Sequence, residues 1–239
     1  MRSYARHQLK QDSFTTSTAE TISWAVDNRS KLIAAGIVVV VILAALIGGW
    51  AYISYRDTEA KAQLAQAIDK YNAPIRPEGT PASPDLLSFA SAQERAKAAN
   101  AEFTQIASKY PFTQSSAVAH YFAGVTFQEM GDNTRAENEL KQVSDSRYKE
   151  IASLAKVALA AVYHQTNHNL DAIALYKELI AHPTVSVGKT TAQFLLGSLY
   201  ESAGEVDEAR HLYEQMQKET PTGVTAQLAG QRLQALAKP

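Results

Sequence analysis

The run from residue 32 to residue 53 carries no charged side chain, and it limits the possible folds of this chain more than any other feature. It reads LIAAGIVVVVILAALIGGWAYI. At ~1.5 Å per residue the run spans roughly 33 Å, which is enough to cross a hydrocarbon layer of ~30 Å. The flanks suit two membrane interfaces, with Arg29 and Lys31 before the run and Trp50, Tyr52, Tyr55 and Arg56 at its other end. The run therefore predicts one transmembrane helix over residues 32–53.

Two other interpretations of this run fit less well. A helix in a protein core seldom continues this far without a polar face. A cleaved signal peptide has an apolar region of ~7–15 residues near the start of the chain, followed by small residues at the cleavage site. Here the run begins after 31 residues and ends in bulky aromatic side chains. We therefore expect an uncleaved membrane anchor.

The short tail before the run indicates the orientation in the membrane. Its 31 residues hold five Lys or Arg residues and three acidic residues. Because basic tails are retained in the cytoplasm, we expect a cytoplasmic tail over residues 1–31 and an exported C-terminal domain. Ser17 and Glu20 form a capping box, which predicts a helix from about Thr18 into the span.

Composition excludes several classes of protein. The formal net charge is -1, so the chain lacks the basic field that is typical of nucleic-acid binding. It contains no cysteine, which excludes disulfides, thiolate metal sites, cysteine nucleophiles and the lipid-modified cysteine of a lipoprotein. Any membrane anchor must therefore be the peptide itself.

After the span the sequence predicts a helix, a linker and a helical domain. Residues 57–71 place apolar side chains at helical spacing, namely Ala60, Leu64, Ala67, Ile68 and Tyr71. Residues 72–85, NAPIRPEGTPASPD, contain four prolines and a glycine, which exclude a helix. We assign residues 54–85 to a juxtamembrane helix and linker, and residues 86–239 to a helical domain.

The helical domain contains a repeat. Three segments align at offsets of 36 and 37 residues: HYFAGVTFQEMGDNTRAENELKQV, KVALAAVYHQTNHNLDAIALYKEL and QFLLGSLYESAGEVDEARHLYEQM. The aligned columns are a small residue (Gly124, Ala160, Gly197), an aromatic (Phe127, Tyr163, Tyr200), a turn residue (Gly131, Asn167, Gly204), an alanine (Ala136, Ala172, Ala209) and large residues (Leu140, Tyr176, Tyr213, then Val143, Leu179, Met216). A small residue in the first helix allows the second helix to approach, and Gly or Asn at the turn accepts a left-handed backbone.

These columns resemble those of the tetratricopeptide repeat family, whose unit is ~34 residues. The resemblance implies an all-α solenoid with repeats at about residues 117–150, 153–186 and 190–223 and a capping helix over residues 224–237. A half copy precedes them, with Ala99, Phe103, Ile106 and Pro111 in the second-helix columns. The tryptophan of the consensus is missing, because His120, Lys156 and Gln193 stand in its column.

By the same resemblance, the first helix of each repeat would line a groove that binds a protein. The groove positions are Val118, Tyr121, Val125 and Gln128, then Leu154, Val157, Ala161 and His164, then Thr191, Phe194, Ser198 and Glu201. This lining is mostly apolar and suits a hydrophobic segment or a partner helix. The alternative is that some of these side chains pack against the final helix of the protein itself.

No pattern in the sequence indicates catalysis. His164 and His168 are four residues apart, as in zinc-protease helices, but Gln165, Thr166 and Asn167 separate them and supply no glutamate. No nucleophile elbow, phosphate-binding loop or dinucleotide-binding glycine pattern occurs. We expect no catalytic residue, metal or cofactor, and neither a nucleic acid nor a small-molecule substrate as partner.

The order of tail, span, linker and repeats resembles that of the bacterial ancillary subunits of the SecYEG translocon, the YfgM-like family. That resemblance implies an inner-membrane protein with a periplasmic repeat domain. Its partners would be translocon subunits, periplasmic chaperones or unfolded chains, and it would assist the export or folding of envelope proteins. The alternative is a structural scaffold in a cell-envelope complex for division or outer-membrane assembly. A membrane-bound hydrolase would need a site that the sequence does not contain.

Overall fold

A computed structural model describes residue 24 and residues 26–81, 83, 86–219 and 223–237. The described residues fall into two compact units, one up to Ile53 and one from Ser54 onward. Nine helices are assigned in the described part: α1 (Arg29–Tyr71), α2 (Ala92–Lys109), α3 (Gln114–Glu129), α4 (Asn133–Ser144), α5 (Lys149–Gln165), α6 (Asn169–Ala181), α7 (Lys189–Ser202), α8 (Val206–Glu219) and α9 (Val224–Leu236). The all-α prediction is confirmed.

The apolar run lies within α1. Side chains over residues 32–52 are exposed in the first unit, although almost all of them are apolar. Within the described residues α1 is the one helix that is long and apolar enough to cross a membrane. A helix that is apolar on all sides is stable when protein or lipid covers it, so residues 32–53 form a candidate membrane span. The helix predicted from Thr18, with its capping box, begins outside the described residues.

Residues 54–71 of α1 pack against α2 in the second unit. Ala60, Leu64 and Ala67 are buried in one cluster with Phe103 and Ile106. Polar contacts surround this cluster. Gln63 donates a hydrogen bond to the Tyr110 hydroxyl (2.7 Å), the guanidinium of Arg56 stacks over the Tyr110 ring, and Lys70 pairs with Glu102. The half copy found in the sequence thus has a first helix, which the residues before the linker supply.

The linker between α1 and α2 runs from residue 72 to residue 91, and its described residues (72–81, 83 and 86–91) contain no helix. A single parallel bridge joins Ile75 to Phe89. It is formed by Arg76 N donating to Phe89 O (2.9 Å) and Phe89 N donating to Pro74 O (3.0 Å). The linker therefore folds back on itself before Ser91, whose side chain caps α2 by accepting from Glu94 N.

Three helix pairs follow, and each pair closes with the same turn. In the first, Asp132 N donates to Phe127 O and Gly131 N donates to Gln128 O. The turns at Asn167 and Gly204 repeat this pattern, which is the Schellman arrangement. All three turn residues have positive φ, at 79°, 62° and 82°. The prediction of left-handed turns is confirmed.

Close packing within each pair explains the small-residue column. A Cβ atom at Gly124 would lie 2.5 Å from Leu140 Cγ, and one at Gly197 would lie 2.5 Å from Tyr213 Cε1. The second-helix residues Ala136, Ala172 and Ala209 are fully buried. The final helix α9 continues the stack by packing on α8 and, over a smaller area, on α7.

Candidate functional site

The twelve residues of the predicted groove all lie on first helices of the pairs. Four are on α3, four on α5 and four on α7. Eleven are half-buried, and Thr191 is exposed. The three sets have different surroundings in the fold.

The α3 set is mostly apolar and packs only in part. Val118 contacts the cluster formed by α1, α2 and α3, and Tyr121 contacts the cluster formed by α3, α4 and α5. The Tyr121 ring lies edge-on to Phe122 at 5.2 Å between centroids. Burial raises the pKa of the Tyr121 hydroxyl. With Val125 and Gln128 also half-buried, α3 presents an apolar strip that retains part of its surface.

The α5 set combines two apolar contacts with a polar clamp. Leu154 and Val157 pack against the cluster of α5, α6 and α7. Ala161, on the same helix, is also half-buried. His164 Nδ1 lies 2.8 Å from Asn169 Oδ1, and its Nε2 lies 2.9 Å from Ser202 Oγ. His164 therefore links the start of α6, just after the turn between α5 and α6, to the end of α7.

The α7 set contacts α8, the second helix of the same pair. Phe194 lies 5.9 Å from the Tyr213 ring, and Ser198 Oγ lies 3.4 Å from the Tyr213 hydroxyl. That hydroxyl donates to Glu201 Oε1 at 2.5 Å, and Arg232 of α9 lies 3.8 Å from the same carboxylate. Burial, together with the Glu201 carboxylate, raises the pKa of Tyr213 to about 12. Three of these four residues thus contact α8, and Glu201 also reaches α9.

The column that lacks the consensus tryptophan holds polar pairs, which sequence reasoning did not find. His120 Nδ1 lies 2.6 Å from Glu139 Oε2, and Lys156 Nζ lies 2.5 Å from Glu178 Oε1. Between α7 and α8, Gln193 Nε2 donates to Glu219 Oε2 at 3.3 Å. Each pair joins the first helix of a repeat to its second helix. The hydrogen bonds from Lys189, Gln215 and Gln193 lower the pKa of Glu219 to about 2.

Two cavities lie beside this column in consecutive repeats. One has a volume of about 420 Å³ and is lined by residues that include His120, Phe112, Arg147 and Tyr148. The other, of about 580 Å³, is lined by the repeat-equivalent Lys156 together with Ser153, Glu178 and Thr184. None of the twelve groove residues lines either cavity. Both cavities open at the column where a consensus repeat has a tryptophan. The missing tryptophan was therefore the sequence signal that could have predicted these cavities.

A second column missed in the sequence comprises Phe112, Tyr148 and Val185 on the loops between pairs. These positions stand twelve residues before Gly124, Ala160 and Gly197, so the same alignment contains them. Phe112 is 77% exposed and Val185 is 96% exposed. The edge of the stack formed by these loops therefore carries apolar side chains in solvent.

Each of the two histidines that stand four residues apart has polar neighbours of its own. His164 is held by Asn169 and Ser202, and His168 Nδ1 lies 3.0 Å from Thr166 Oγ1. In the described part of the chain, no group of three or more His, Cys, Asp or Glu side chains is placed to hold a metal ion.

Comparisons with known proteins identify the family. The family described as "Tetratricopeptide repeat-like domain" matches residues 23–238. Neither the search of curated proteins nor that of solved structures finds a match. The matched segment includes the candidate span as well as every helix pair, and domains of this kind are typically non-catalytic modules for protein–protein interaction. The chain belongs to the tetratricopeptide repeat-like domain family.

Proposed function

We propose that this protein is a tethered docking module of the bacterial inner membrane that assists protein export or envelope-protein folding beside the Sec translocon. The observation that carries the proposal is that one family match, residues 23–238, includes both a candidate span and a protein-binding repeat stack. A tether raises the effective concentration of a binding module near its partner's site of action. A binding surface fixed at a membrane serves partners that emerge there.

The chemistry of the groove supports a hydrophobic partner segment. None of its twelve residues is Lys or Arg, so it offers no fixed positive charge for an acidic tail or a terminal carboxylate. Its one carboxylate, Glu201, is already bonded to Tyr213. The apolar members on α3 and α5 stay half-exposed. An apolar strip across neighbouring helices suits a partner helix or an unfolded apolar segment.

Crosslinking from the groove tests this function. A photoreactive amino acid at Tyr121 or Thr191 in cells should give adducts with translocon subunits, periplasmic chaperones or chains in export. The matched control is Leu170, which is 82% exposed on the second helix of its pair. Adducts with division or outer-membrane assembly proteins from the groove positions would favour the scaffold alternative. Equal adducts from Leu170 would exclude the groove.

Truncation of the groove gives a second readout. We expect Tyr121→Ala with Val157→Ala to weaken partner capture at least ~10-fold, because each change removes apolar contact area at the centre of the strip. Leu170→Ala should leave capture unchanged. Circular dichroism of each variant separates lost binding from lost folding, since both groove residues also contact internal clusters.

A further inference from the structure

The loop between α2 and α3 leaves an aromatic ring in solvent. Phe112 is 77% exposed and has a φ of 66°, which is unusual for a bulky residue. Arg147 Nη2 donates to its carbonyl oxygen at 2.9 Å, and the Tyr148 hydroxyl donates to the same oxygen at 3.3 Å. Two donors from the next loop between pairs thus hold the backbone that presents the ring.

Three contacts tie the helix ends that flank this loop to the first residues of the second unit. Arg56 Nη2 donates to Lys109 O at 2.6 Å, and Asp57 Oδ1 accepts from Ser115 N at 2.9 Å. Lys109 Nζ lies 3.9 Å from Glu59 Oε1. Arg56 is three residues beyond Ile53, so covalent geometry alone keeps the two Cα atoms within ~11 Å. The helix ends on both sides of the loop are therefore bonded to residues that closely follow the candidate span in the chain.

Among the charged groups that contact the loop and its flanking helix ends, together with their ion-pair partners, cations outnumber carboxylates. The cationic groups are Arg56, Lys61, Lys109 and Arg147, and the carboxylates that face them are Asp57 and Glu59. Arg147 makes no ion pair among the described residues, and Asp145 of the same loop pairs with Lys156 instead. An excess of cations beside an exposed ring matches a surface of lipid phosphates over hydrocarbon.

We propose that residues 110–113, the Phe112 loop, form a second membrane contact in which the ring enters the interfacial layer and Arg56 and Arg147 face lipid phosphates. The proposal rests on the tether of the proposed function, which fixes the bilayer next to residue 53. Interfacial segments bury Trp, Phe or Leu side chains at the boundary of headgroups and acyl chains while Lys and Arg stay near the lipid phosphates. The partner surface is an anionic bilayer.

Depth measurement by spin labelling tests the proposal in the full chain. The sequence has no cysteine, so Gln114→Cys gives one label at an exposed position two residues from Phe112. In vesicles of phosphatidylcholine and phosphatidylglycerol, the label should collide more with lipid-soluble oxygen than with a water-soluble nickel chelate. A label at Leu170→Cys should show the opposite ratio. Equal, aqueous ratios at both positions would overturn the proposal.

One further variant separates a failure of the tether from a failure of the loop contact. A label at Leu43→Cys, within the apolar run, reports whether the span itself is in lipid. If that label is buried in lipid and the one at position 114 is aqueous, the tether stands and the Phe112 loop contact is wrong. If both labels are aqueous, both proposals fail. A label at position 114 that is immobilised in native membranes but aqueous in pure lipid would indicate a protein partner and overturn the lipid contact.

The ring itself is tested by Phe112→Asn in the Gln114→Cys background. Asparagine accepts a positive φ more readily than phenylalanine, so the variant keeps the turn and the fold. We expect the ratio of oxygen to nickel collisions at position 114 to fall several-fold, to the value at position 170. An unchanged ratio in a folded variant would exclude the ring as the inserted group.

Discussion

Single glycines control how closely the two helices of a pair approach. Gly197 lies against the fully buried ring of Tyr213, and Gly124 lies against the fully buried Leu140. The turn glycines do a different task, because Gly131 and Gly204 have open space around them and are needed for their backbone conformation. Packing and chain reversal thus depend on different glycines of one repeat.

Replacing Gly197 with alanine should destabilise the protein by about 1–3 kcal/mol, because the new Cβ would overlap the Tyr213 ring and force the helices apart. Gly230→Ala is the matched control within a helix. Its Cβ would meet only the end of the exposed Gln217 side chain, so a gain of up to ~1 kcal/mol in helix propensity is expected. Urea unfolding measures both changes. A Gly197→Ala variant as stable as Gly230→Ala would show that the pair can open without cost.

Among the elements, the first helix pair differs most from the others. Its two helices are separated by residues 72–91, whereas the other pairs close within a few residues. Its core nevertheless matches theirs, since Ala99, Phe103 and Ile106 are as deeply buried as Ala136, Leu140 and Val143. Tyr71 joins this core to the next pair by bonding Glu129 and by contacting both Phe103 and Phe122.

A fragment of residues 54–239 should therefore fold cooperatively, and a fragment of residues 86–239 should be several kcal/mol less stable. The shorter fragment loses the cover that Ala60, Leu64 and Ala67 give to Phe103 and Ile106, at ~1.5–3 kcal/mol for each large side chain exposed. Thermal melts followed by circular dichroism and the binding of a hydrophobic dye measure the difference. Equal melting temperatures would mean that residues 54–71 contribute nothing to the stack.

The sequence predicts the three later helix pairs well, because each aligned column meets a strict steric requirement. Gly124 and Gly197 must be small, and Gly131, Asn167 and Gly204 must accept positive φ. The α1/α2 pair could not be aligned with the others, because its linker separates two sets of columns that are close together in the other pairs. The alignment also misses the polar side-chain pairs of the tryptophan column. Their acids, Glu139, Glu178 and Glu219, stand three, six and ten residues after the column alanine, so no column contains them.

The groove was harder to predict than the fold. Resemblance assigns the same role to equivalent positions on α3, α5 and α7, but the side chains differ at each. Phe194 and Glu201 contact Tyr213, whereas the residue equivalent to Tyr213 in the α3/α4 pair is Leu140, which has no hydroxyl. The surroundings of a groove residue thus depend on second-helix side chains that a first-helix pattern does not include.

For the whole molecule, the orientation in the membrane decides which partners are within reach. We expect protease added to intact spheroplasts to digest the segment beyond residue 53, because the basic tail favours the cytoplasm. An epitope at the N-terminus should stay protected until the membrane is permeabilised. Immunoblots with tags at each end measure this. Protection of the C-terminal tag would reverse the orientation and remove the periplasmic partners from the proposed function.

The linker of the first pair also makes the stack tolerant of insertion. Residues 77–81 are all exposed, and Gly79 already reverses the chain there with a φ of 79°. Loop-closure entropy rises slowly with length, so doubling this linker would cost only ~0.6 kcal/mol. A fluorescent or affinity domain could thus be inserted between α1 and α2 while both chain ends stay free. Through this loop, the repeat nearest the candidate anchor is also the one that can accept a new domain.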